Sequence, residues 1–255
     1  ECTDEPVYET GSIFKIDTES GNSIELFAMG IRNSFGLDVD PVTGYLWDTE
    51  NGEHYFDEIN LVKHRFNSGW NSVIGPSDWE NPDTHPCGEK VIGEKTNCPF
   101  EYRGFQPIPT FEDFIYSEPE FSWYLTVGPT ALSFPDKKFG YADTLFVSDY
   151  HHAIVYKFPL NSDRKGFNLI GDLRDKVADY ETAGNFQIGL IFAYNFPGGI
   201  TDIKFHNGAM YAIALWDGSI YKIYQADDTV IFIPNWVKNN AYWWADEKID
   251  DSAYI

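Results

Sequence analysis

The 255-residue sequence has few basic residues, and this shortage excludes several classes of partner. Lys and Arg number 18 against 40 Asp and Glu, which gives a formal net charge of −22 at pH 7. Nucleic acid is not an expected partner, because its phosphates are bound by clusters of Lys and Arg. A surface this acidic repels other copies of itself and attracts cations. The sequence also lacks an apolar run long enough to span a membrane as a helix.

Several catalytic signatures are missing as well. The sequence contains no G-x-S-x-G nucleophile elbow, no phosphate-binding P-loop and no G-x-G-x-x-G dinucleotide fingerprint. Its six His residues include no pair at the i,i+4 spacing of a helical zinc site. The abundant carboxylates are compatible with a glycosidase, but that mechanism depends on a carboxylate separation that sequence does not give. No signal peptide is visible in the opening residues, ECTDEPVYET.

Cysteine is scarce, with three residues in the chain. Cys87 and Cys98 flank a segment rich in Pro, Gly and Lys, where a disulfide would staple a long excursion and indicate an oxidising compartment. Two free thiols are the alternative, and Cys2 has no evident partner. We predict the Cys87–Cys98 disulfide, which would stabilise the fold by about 3 kcal/mol in the chain-entropy model. Non-reducing peptide mapping that finds both thiols free would contradict it.

Repeats of a short strand pattern indicate the fold. Residues 11–16 (GSIFKI) recur at 218–223 (GSIYKI) and, more loosely, at 152–158 (HAIVYKF). The two later copies each follow a hairpin-like run, so the unit is strand, Gly-bearing turn, strand, short loop and strand. An aromatic content of 17% with only 2 Met also favours strands over helices. Meanders of this kind form a β-propeller when they stack radially.

We therefore predict an all-β protein of antiparallel four-stranded blades. Residues 1–228 would form the propeller, with a long loop excursion at 72–113, and residues 229–255 would form a C-terminal helical tail. About three and a half blade-like units are present, whereas a ring usually closes with at least four. A companion chain or an upstream segment is expected to complete it. The tail resembles a Trp-rich helical module of archaeal cell-surface proteins, and a helix packed on the propeller is the alternative.

Five motifs within residues 30–71 carry a family resemblance. They are GIRNSFGL, DPVTGYLW, a Glu-x-Gly loop, DEIN and GWN, and FIYSEPEFSW, GPTALSF, LFVSDYHHAIVYKF and GGITDIKF follow later. In this order the motifs resemble the glucose/sorbosone dehydrogenase family, soluble sugar dehydrogenases that use pyrroloquinoline quinone (PQQ) on a six-bladed propeller. The resemblance covers residues 11–224. It implies that this chain supplies roughly the last three to four blades.

The resemblance implies a site for PQQ and a sugar. In the family, sugar C1 gives a hydride to PQQ polarised by calcium while a His takes the hydroxyl proton. Arg32 and Asn33 match the Arg-Asn pair that contacts the cofactor, and Arg32 would stabilise charge on the quinone oxygen. Thr126 and His151 match further cofactor-contacting positions. For Arg32, a structural partnership with a nearby carboxylate is the alternative.

The resemblance also implies calcium. Gly52 and Glu53 match the loop whose backbone carbonyls bind the cofactor calcium, with Glu53 where the family usually has Pro. Asp57 and Glu58 match a second acidic pair, and Glu58 with the Ser68 carbonyl resembles a structural calcium site. Hard oxygen ligands of these kinds suit calcium. A solvated acidic loop is the alternative.

Other positions depart from the family pattern. Its catalytic His lies upstream of this region, His151 stands where the family has Lys, and Thr201 and Asp202 stand where Arg often grips the PQQ carboxylates. Losing these cations removes much of the expected charge pairing. Two functions therefore stay open. One is a PQQ- and calcium-dependent aldose dehydrogenase, and the other is a non-enzymatic extracellular or cell-surface propeller that binds sugars or proteins.

Overall fold

The structure is a computed structural model that describes residues 11–21, 24–53, 55–70, 73–77, 113–178 and 189–225. The chain divides into two compact units, Glu1–Ile223 and Tyr224–Ile255. Cys2, the predicted Cys87–Cys98 disulfide, most of the 72–113 excursion and the 229–255 tail lie outside the described residues. Within the described part of the chain, no helix is both long and apolar enough to cross a membrane.

The described residues are built almost entirely from strands. In chain order these are β1 (Ile13–Ile16), β2 (Ile24–Met29), β3 (Ser34–Val39), β4 (Leu46–Glu50), β5 (Tyr55–Val62), β6 (Phe66–Asn67), β7 (Ile115–Tyr116), β8 (Phe121–Leu125), β9 (Pro129–Ser133), β10 (Thr144–Asp149), β11 (Val155–Pro159), β12 (Val177–Ala178), β13 (Ile191–Ala193), β14 (Ile200–His206), β15 (Ala209–Ala214) and β16 (Ser219–Tyr224). A 3₁₀ turn, Gly171–Asp175, precedes β12. The prediction of an all-β protein is confirmed.

The strands form four sheets, which we number along the chain. Sheet 1 has the order β1-β2-β6-β7, sheet 2 β3-β4-β5-β8-β12, sheet 3 β9-β10-β11-β13 and sheet 4 β14-β15-β16. The repeated segments GSIFKI, HAIVYKF and GSIYKI contribute β1, β11 and β16, and β11 and β16 are each the third strand of a meander. The meander unit predicted from the repeats is thus present in sheets 2, 3 and 4.

Three sheets depart from the predicted antiparallel four-stranded blade among the described residues: sheet 4 has three strands, sheet 2 has five, and sheets 1 and 2 contain parallel pairs. β6 pairs in parallel with β2 and with β7, and β12 pairs in parallel with β8. β6, β7 and β12 are each only two residues long. They belong to the connections between meanders, and each connection folds back along the edge of a neighbouring sheet. Sheet 3 matches the prediction, because its four strands pair antiparallel throughout.

Successive sheets pack face to face. In β10, Leu145 and Val147 join a core shared with sheet 2, while Phe146 between them joins a core shared with sheet 4. Side chains alternate between the two faces of a strand, so a strand buried on both faces reads as a continuous apolar run. The first strands of sheets 2, 3 and 4, namely β3, β9 and β14, lie side by side. This is the arrangement of neighbouring blades in a β-propeller.

The β3–β4 connection forms the turn that its sequence predicts. The Gly44 N–H donates to the Asp40 carbonyl at 2.8 Å, and Gly44 has φ +74°, which favours glycine. The Asp40 carboxylate accepts the Val42 N–H and the Thr43 hydroxyl, a local pattern typical of Asp at the start of a turn. The turn thereby sets the register in which β3 runs back along β4.

Candidate functional site

Arg32 lies between β2 and β3 and reaches across to the loop after β4. Its Nη1 donates to the Asn51 carbonyl at 2.6 Å and to the Gly52 carbonyl at 3.0 Å. Its guanidinium carbon lies 5.3 Å from the centre of the Trp70 ring, and its backbone N–H donates to Glu50 Oε1 at 2.6 Å. Two carbonyls and an aromatic face therefore hold a half-buried cation at the position that the motifs single out.

Asn33 contributes its backbone to the same loop. The Asn33 carbonyl accepts the Asn51 N–H at 3.0 Å, and the Asn33 residue as a whole is exposed. Glu53 is exposed as well. The predicted cofactor pair, Arg32 and Asn33, thus flanks the Asn51–Gly52 loop, with the Arg side chain turned onto that loop.

Asp57 joins the Gly52 loop to the loop between β8 and β9. Its carboxylate is fully buried and accepts the Gly52 N–H at 2.8 Å, the Val127 N–H at 2.6 Å and the Gly128 N–H at 2.8 Å. Burial raises the pKa of Asp57, although these donors act in the opposite direction. With three backbone donors on its oxygens, Asp57 serves as a clamp between the two loops.

The predicted residues Thr126 and His151 meet beside this clamp. His151 Nδ1 lies 3.2 Å from the Thr126 carbonyl, and the exposed imidazole covers Gly128. A Cβ at Gly128 would lie 3.4 Å from His151 Nε2, and Gly128 has φ +67°. Contacts therefore run from Arg32 through Gly52, Asp57 and Gly128 to His151. Four of the predicted positions, Arg32, Gly52, Asp57 and His151, lie on this one path.

A buried acidic cluster underlies Arg32. Asp48 and Glu50 on β4 pair with Asn60 and Glu58 on β5, and all four side chains are nearly inaccessible to solvent. Glu50 Oε2 accepts the Ser68 hydroxyl at 2.7 Å, and Glu58 accepts the Asn60 amide at 3.2 Å. Asp57 and Glu58 are thus strand residues in the interior, so the alternative of a solvated acidic loop is wrong for both.

Burial and, for two of them, repulsion from a neighbouring acid raise the pKa values of these acids. Burial raises the pKa of Glu50 to about 7. Burial, and then the negative charge of Glu50, raise the pKa values of Asp48 and Glu58 well above the usual range. These carboxyl groups therefore keep their protons to higher pH than exposed carboxyl groups do, unless a cation compensates their charge.

The cluster offers oxygen atoms that calcium would accept. Both Asp48 carboxylate oxygens and Asn60 Oδ1 are buried and make no hydrogen bond of normal geometry with the described residues. Ser34 and Asn60 nevertheless lie close enough to Asp48 to act against the rise in its pKa. In that part of the chain, no group of three or more His, Cys, Asp or Glu is placed to hold a metal ion. A calcium here would therefore need backbone carbonyls, such as that of Ser68, beside the carboxylates. The Gly52 carbonyl fits calcium less well, because the Arg32 guanidinium already donates to it.

Sequence reasoning missed Asp48 and Glu50 as members of the site. A signal was present, since both Asp48-x-Glu50 and Glu58-x-Asn60 alternate along strands and thus place each pair on one face. The β4–β5 register could not be read from the sequence, and it is this register that places the two pairs side by side on one face of sheet 2.

A cavity of about 320 Å³ lies between the first strands of sheets 2, 3 and 4. Its lining comes from three short stretches, Phe35, Gly36 and Leu37 of β3, Thr130, Ala131 and Leu132 of β9, and Thr201, Asp202 and Lys204 of β14. Asp202 and Lys204 bring opposite charges to the cavity. Lys204 is thus a cation in the region where the sequence showed Thr201 and Asp202 in place of Arg.

Comparison with known proteins agrees with this architecture. The family described as Glucose / Sorbosone dehydrogenase matches residues 7–148. The chain is 40% identical over 52 residues to the aldose sugar dehydrogenase YliI of Escherichia coli, which is 20% of this chain and 14% of that protein.

Two solved structures share the fold at low sequence identity. A glucose dehydrogenase superposes with a TM-score of 0.54 and 18% identity, covering 85% of this chain and 55% of its own. The calcium structure of a Trichoderma reesei enzyme of Carbohydrate-Active Enzymes family AA12 superposes with a TM-score of 0.51 and 11% identity. That superposition covers 79% of this chain and 54% of the enzyme's chain. The chain thus spans only about half the length of these structures. Because the family match includes more than half of its residues, the chain belongs to the glucose/sorbosone dehydrogenase family.

Proposed function

We propose that this protein is a sugar dehydrogenase that oxidises aldoses at C1 with PQQ and calcium, within a complete propeller ring. The observation that carries the proposal is the contact path from Arg32 to His151, which gathers positions from the β2–β3, β4–β5, β8–β9 and β10–β11 connections. Rigid strands that present polar groups on adjoining loops are a usual framework for a site. Bound PQQ would supply the acceptor for the hydride.

The chain's own residues have distinct roles in this proposal. Arg32, held by two carbonyls, would supply a fixed positive charge beside a bound quinone and so would stabilise negative charge on it. His151 offers an exposed imidazole nitrogen for a cofactor carboxylate, and Thr126 fixes the ring through its carbonyl. Asn33 and Glu53 complete the rim around Gly52. The base that accepts the sugar hydroxyl proton would come from outside this chain.

The open face of β3 supports the need for a further blade. Phe35, Leu37 and Val39 occupy one face of this strand and are 57%, 46% and 51% exposed. The opposite face of β3 is covered by sheet 3, where Gly36 lies against Thr130 and Asp38 accepts the Ser133 hydroxyl. We propose that an upstream segment or a companion chain covers these residues and completes the ring. We also propose an extracellular or cell-surface location, which the predicted Cys87–Cys98 disulfide would favour.

Calcium is proposed at the buried acidic cluster, and its removal should destabilise the protein. A ligand that binds only the folded state at about 100 times its Kd adds about 2.7 kcal/mol. For a domain of this size that corresponds to about 5–10 °C in Tm. We therefore expect a chelator to lower Tm by this amount, as followed by circular dichroism.

A matched pair of variants tests where the calcium binds. Glu58→Gln should abolish the calcium effect, because it removes a ligand from the cluster. Glu25→Gln, at an exposed Glu that contacts His64, should leave the effect intact. An identical Tm in calcium and in chelator would contradict the calcium site.

A non-enzymatic propeller that binds sugars or proteins is the second candidate. It is favoured by Asp202, which places a carboxylate in the inner cavity where a tricarboxylate cofactor needs cations. Titration of the protein with PQQ, followed by the quinone absorbance, separates the two functions. Saturable binding that requires calcium is expected for the dehydrogenase. Absence of PQQ binding would reject it in favour of the second candidate.

A further inference from the structure

An aromatic pair, an exposed Trp and a half-buried Tyr, lies next to the candidate site. Trp216, in the β15–β16 connection, is 70% exposed, and Tyr150 directly follows β10. The Trp216 indole N–H donates to the Tyr150 hydroxyl at 3.0 Å, and the two rings meet nearly at right angles with centroids 6.3 Å apart. The two side chains thus form one unit, which we call the aromatic platform.

A pair of glycines makes room for the platform. A Cβ at Gly198 would lie 2.6 Å from the Trp216 Cβ, and a Cβ at Gly199 would lie 2.4 Å from the Tyr150 ring. Both glycines are buried, so neither position accepts a larger residue without moving an aromatic side chain. The Leu215 N–H also donates to the Gly199 carbonyl at 3.0 Å. The backbone therefore fixes both side chains from behind, while most of Trp216 remains open to solvent.

The platform is continuous with the Arg32 to His151 path. Tyr150 is the neighbour of His151 in the chain, their ring centroids are 6.2 Å apart, and the Tyr150 N–H donates to the Gly128 carbonyl at 2.9 Å. Gly128 is itself bound to the Asp57 clamp. A ligand on Trp216 would thus lie at the rim of the same loop cluster that holds Arg32 and His151.

The aromatic face, the polar atoms beside it and the acidic charge of the protein together favour an uncharged carbohydrate as the ligand. A pyranose has an apolar C–H face, which stacks on the negative face of an aromatic ring, and hydroxyls at its edge. The Tyr150 hydroxyl accepts the indole N–H and so keeps its own proton to donate, and exposed His151, His152 and Asp217 supply further polar atoms. An anionic ligand is disfavoured by the net charge of −22. Because both rings are held in place, little side-chain entropy is lost on binding.

We propose that the aromatic platform binds a pyranose ring of an uncharged carbohydrate by stacking on Trp216. Neither the Arg32 path nor the cofactor residues include Trp216, so this is a separate sugar subsite. It also does not require PQQ: the subsite would serve a dehydrogenase whose substrate is an oligosaccharide, and equally a propeller that only binds glycans.

The test is an NMR titration of the full chain labelled with ¹⁵N, with no PQQ present. Maltotriose and cellotriose are the probes, and sorbitol is the matched polyol without a pyranose ring. We expect at least one trisaccharide to shift the Trp216 indole N–H signal in a saturable way, and sorbitol to leave it unchanged. Trp216→Ala should weaken binding about tenfold or more, which corresponds to about 1.4 kcal/mol. Trp216→Phe should retain an intermediate affinity.

Two controls keep the result interpretable. Phe14→Ala removes an aromatic side chain that is 44% exposed in sheet 1, and it should not change the affinity. The Tm of each variant checks that the fold is intact. Failure of both trisaccharides to bind, or binding by Trp216→Ala within twofold of the unaltered protein, would overturn the proposal. Because PQQ is absent, this outcome is independent of whether the protein oxidises sugars.

Discussion

Replacement of Arg164 by Met should lower the free energy of unfolding by about 3–5 kcal/mol, the usual cost of stripping a buried charge of its partner. Arg164 Nε and Nη2 donate to Asp40 at 2.7 and 2.8 Å, and both side chains are buried. Asp40 belongs to the β3–β4 turn, whereas Arg164 follows β11, so the pair fastens sheet 2 to sheet 3. Urea denaturation measures the loss.

The exposed ion pair between Arg65 and Asp113 provides the matched control. Arg65→Met should change stability by less than about 1 kcal/mol, because that pair is open to solvent. A double replacement, Asp40→Asn with Arg164→Met, should recover part of the loss, since no buried charge then remains. A loss below 1 kcal/mol for Arg164→Met alone would show that the pair does not fasten the sheets.

The effect of Arg164→Met should also depend on pH. Burial alone raises the pKa of Asp40, but hydrogen bonds from Arg164 and Thr43 outweigh burial and hold that pKa below its usual value. The pair therefore stabilises the fold above the usual Asp pKa of about 4. This contribution is lost as the pH falls through the lower pKa of the folded state. The difference in free energy of unfolding between the unaltered protein and Arg164→Met should thus shrink as the pH falls below about 4.

Replacement of Arg32 by Met should lower kcat/KM for PQQ-dependent aldose oxidation about 100-fold or more. A preorganised donor to a developing negative charge commonly contributes a factor of this size. Met fills a similar volume but cannot donate to the carbonyls of Asn51 and Gly52 or stabilise charge on a quinone. Steady-state assays with an electron-accepting dye measure the effect.

Two comparisons separate a catalytic from a structural role for Arg32. Arg32→Lys keeps the positive charge but not the planar fork, and should restore part of the rate. Arg65→Met removes a surface Arg and should leave the rate unchanged. If Arg32→Met lost activity only in proportion to a fall in folded fraction, as judged by circular dichroism, the catalytic role would be rejected.

Local features of the fold were predictable from sequence because they depend on short-range physics. The turn at 40–44 follows from Asp and Gly at fixed positions, and β3, β4 and β5 follow from the alternating runs around it. Recurrent GSI segments identified the meander. By contrast, β6, β7 and β12 are two residues long, which is too short for any periodicity, so their parallel pairing depends on tertiary contacts alone.

The site was predictable only in part for a similar reason. The motif order predicted that Arg32 and Gly52 belong to one site, and in the structure the Arg32 side chain donates to the Gly52 carbonyl. The residues of the Asp40–Arg164 pair, however, are 124 positions apart. Tyr150 and Trp216 meet across 66 positions. Nothing in their local sequence marks either pair, because sheet packing determines which loops become neighbours.

The central claim is most directly tested by sugar-dependent dye reduction in the propeller ring completed by the proposed upstream segment or companion chain, with PQQ and calcium supplied. We expect turnover of an aldose that requires both PQQ and calcium, and little or no turnover by residues 1–255 alone, because we propose that the sugar base is supplied from outside them. Absence of turnover from the completed ring would contradict the dehydrogenase function. Robust turnover by residues 1–255 alone would contradict the assignment of the base and would point to His151 in its place.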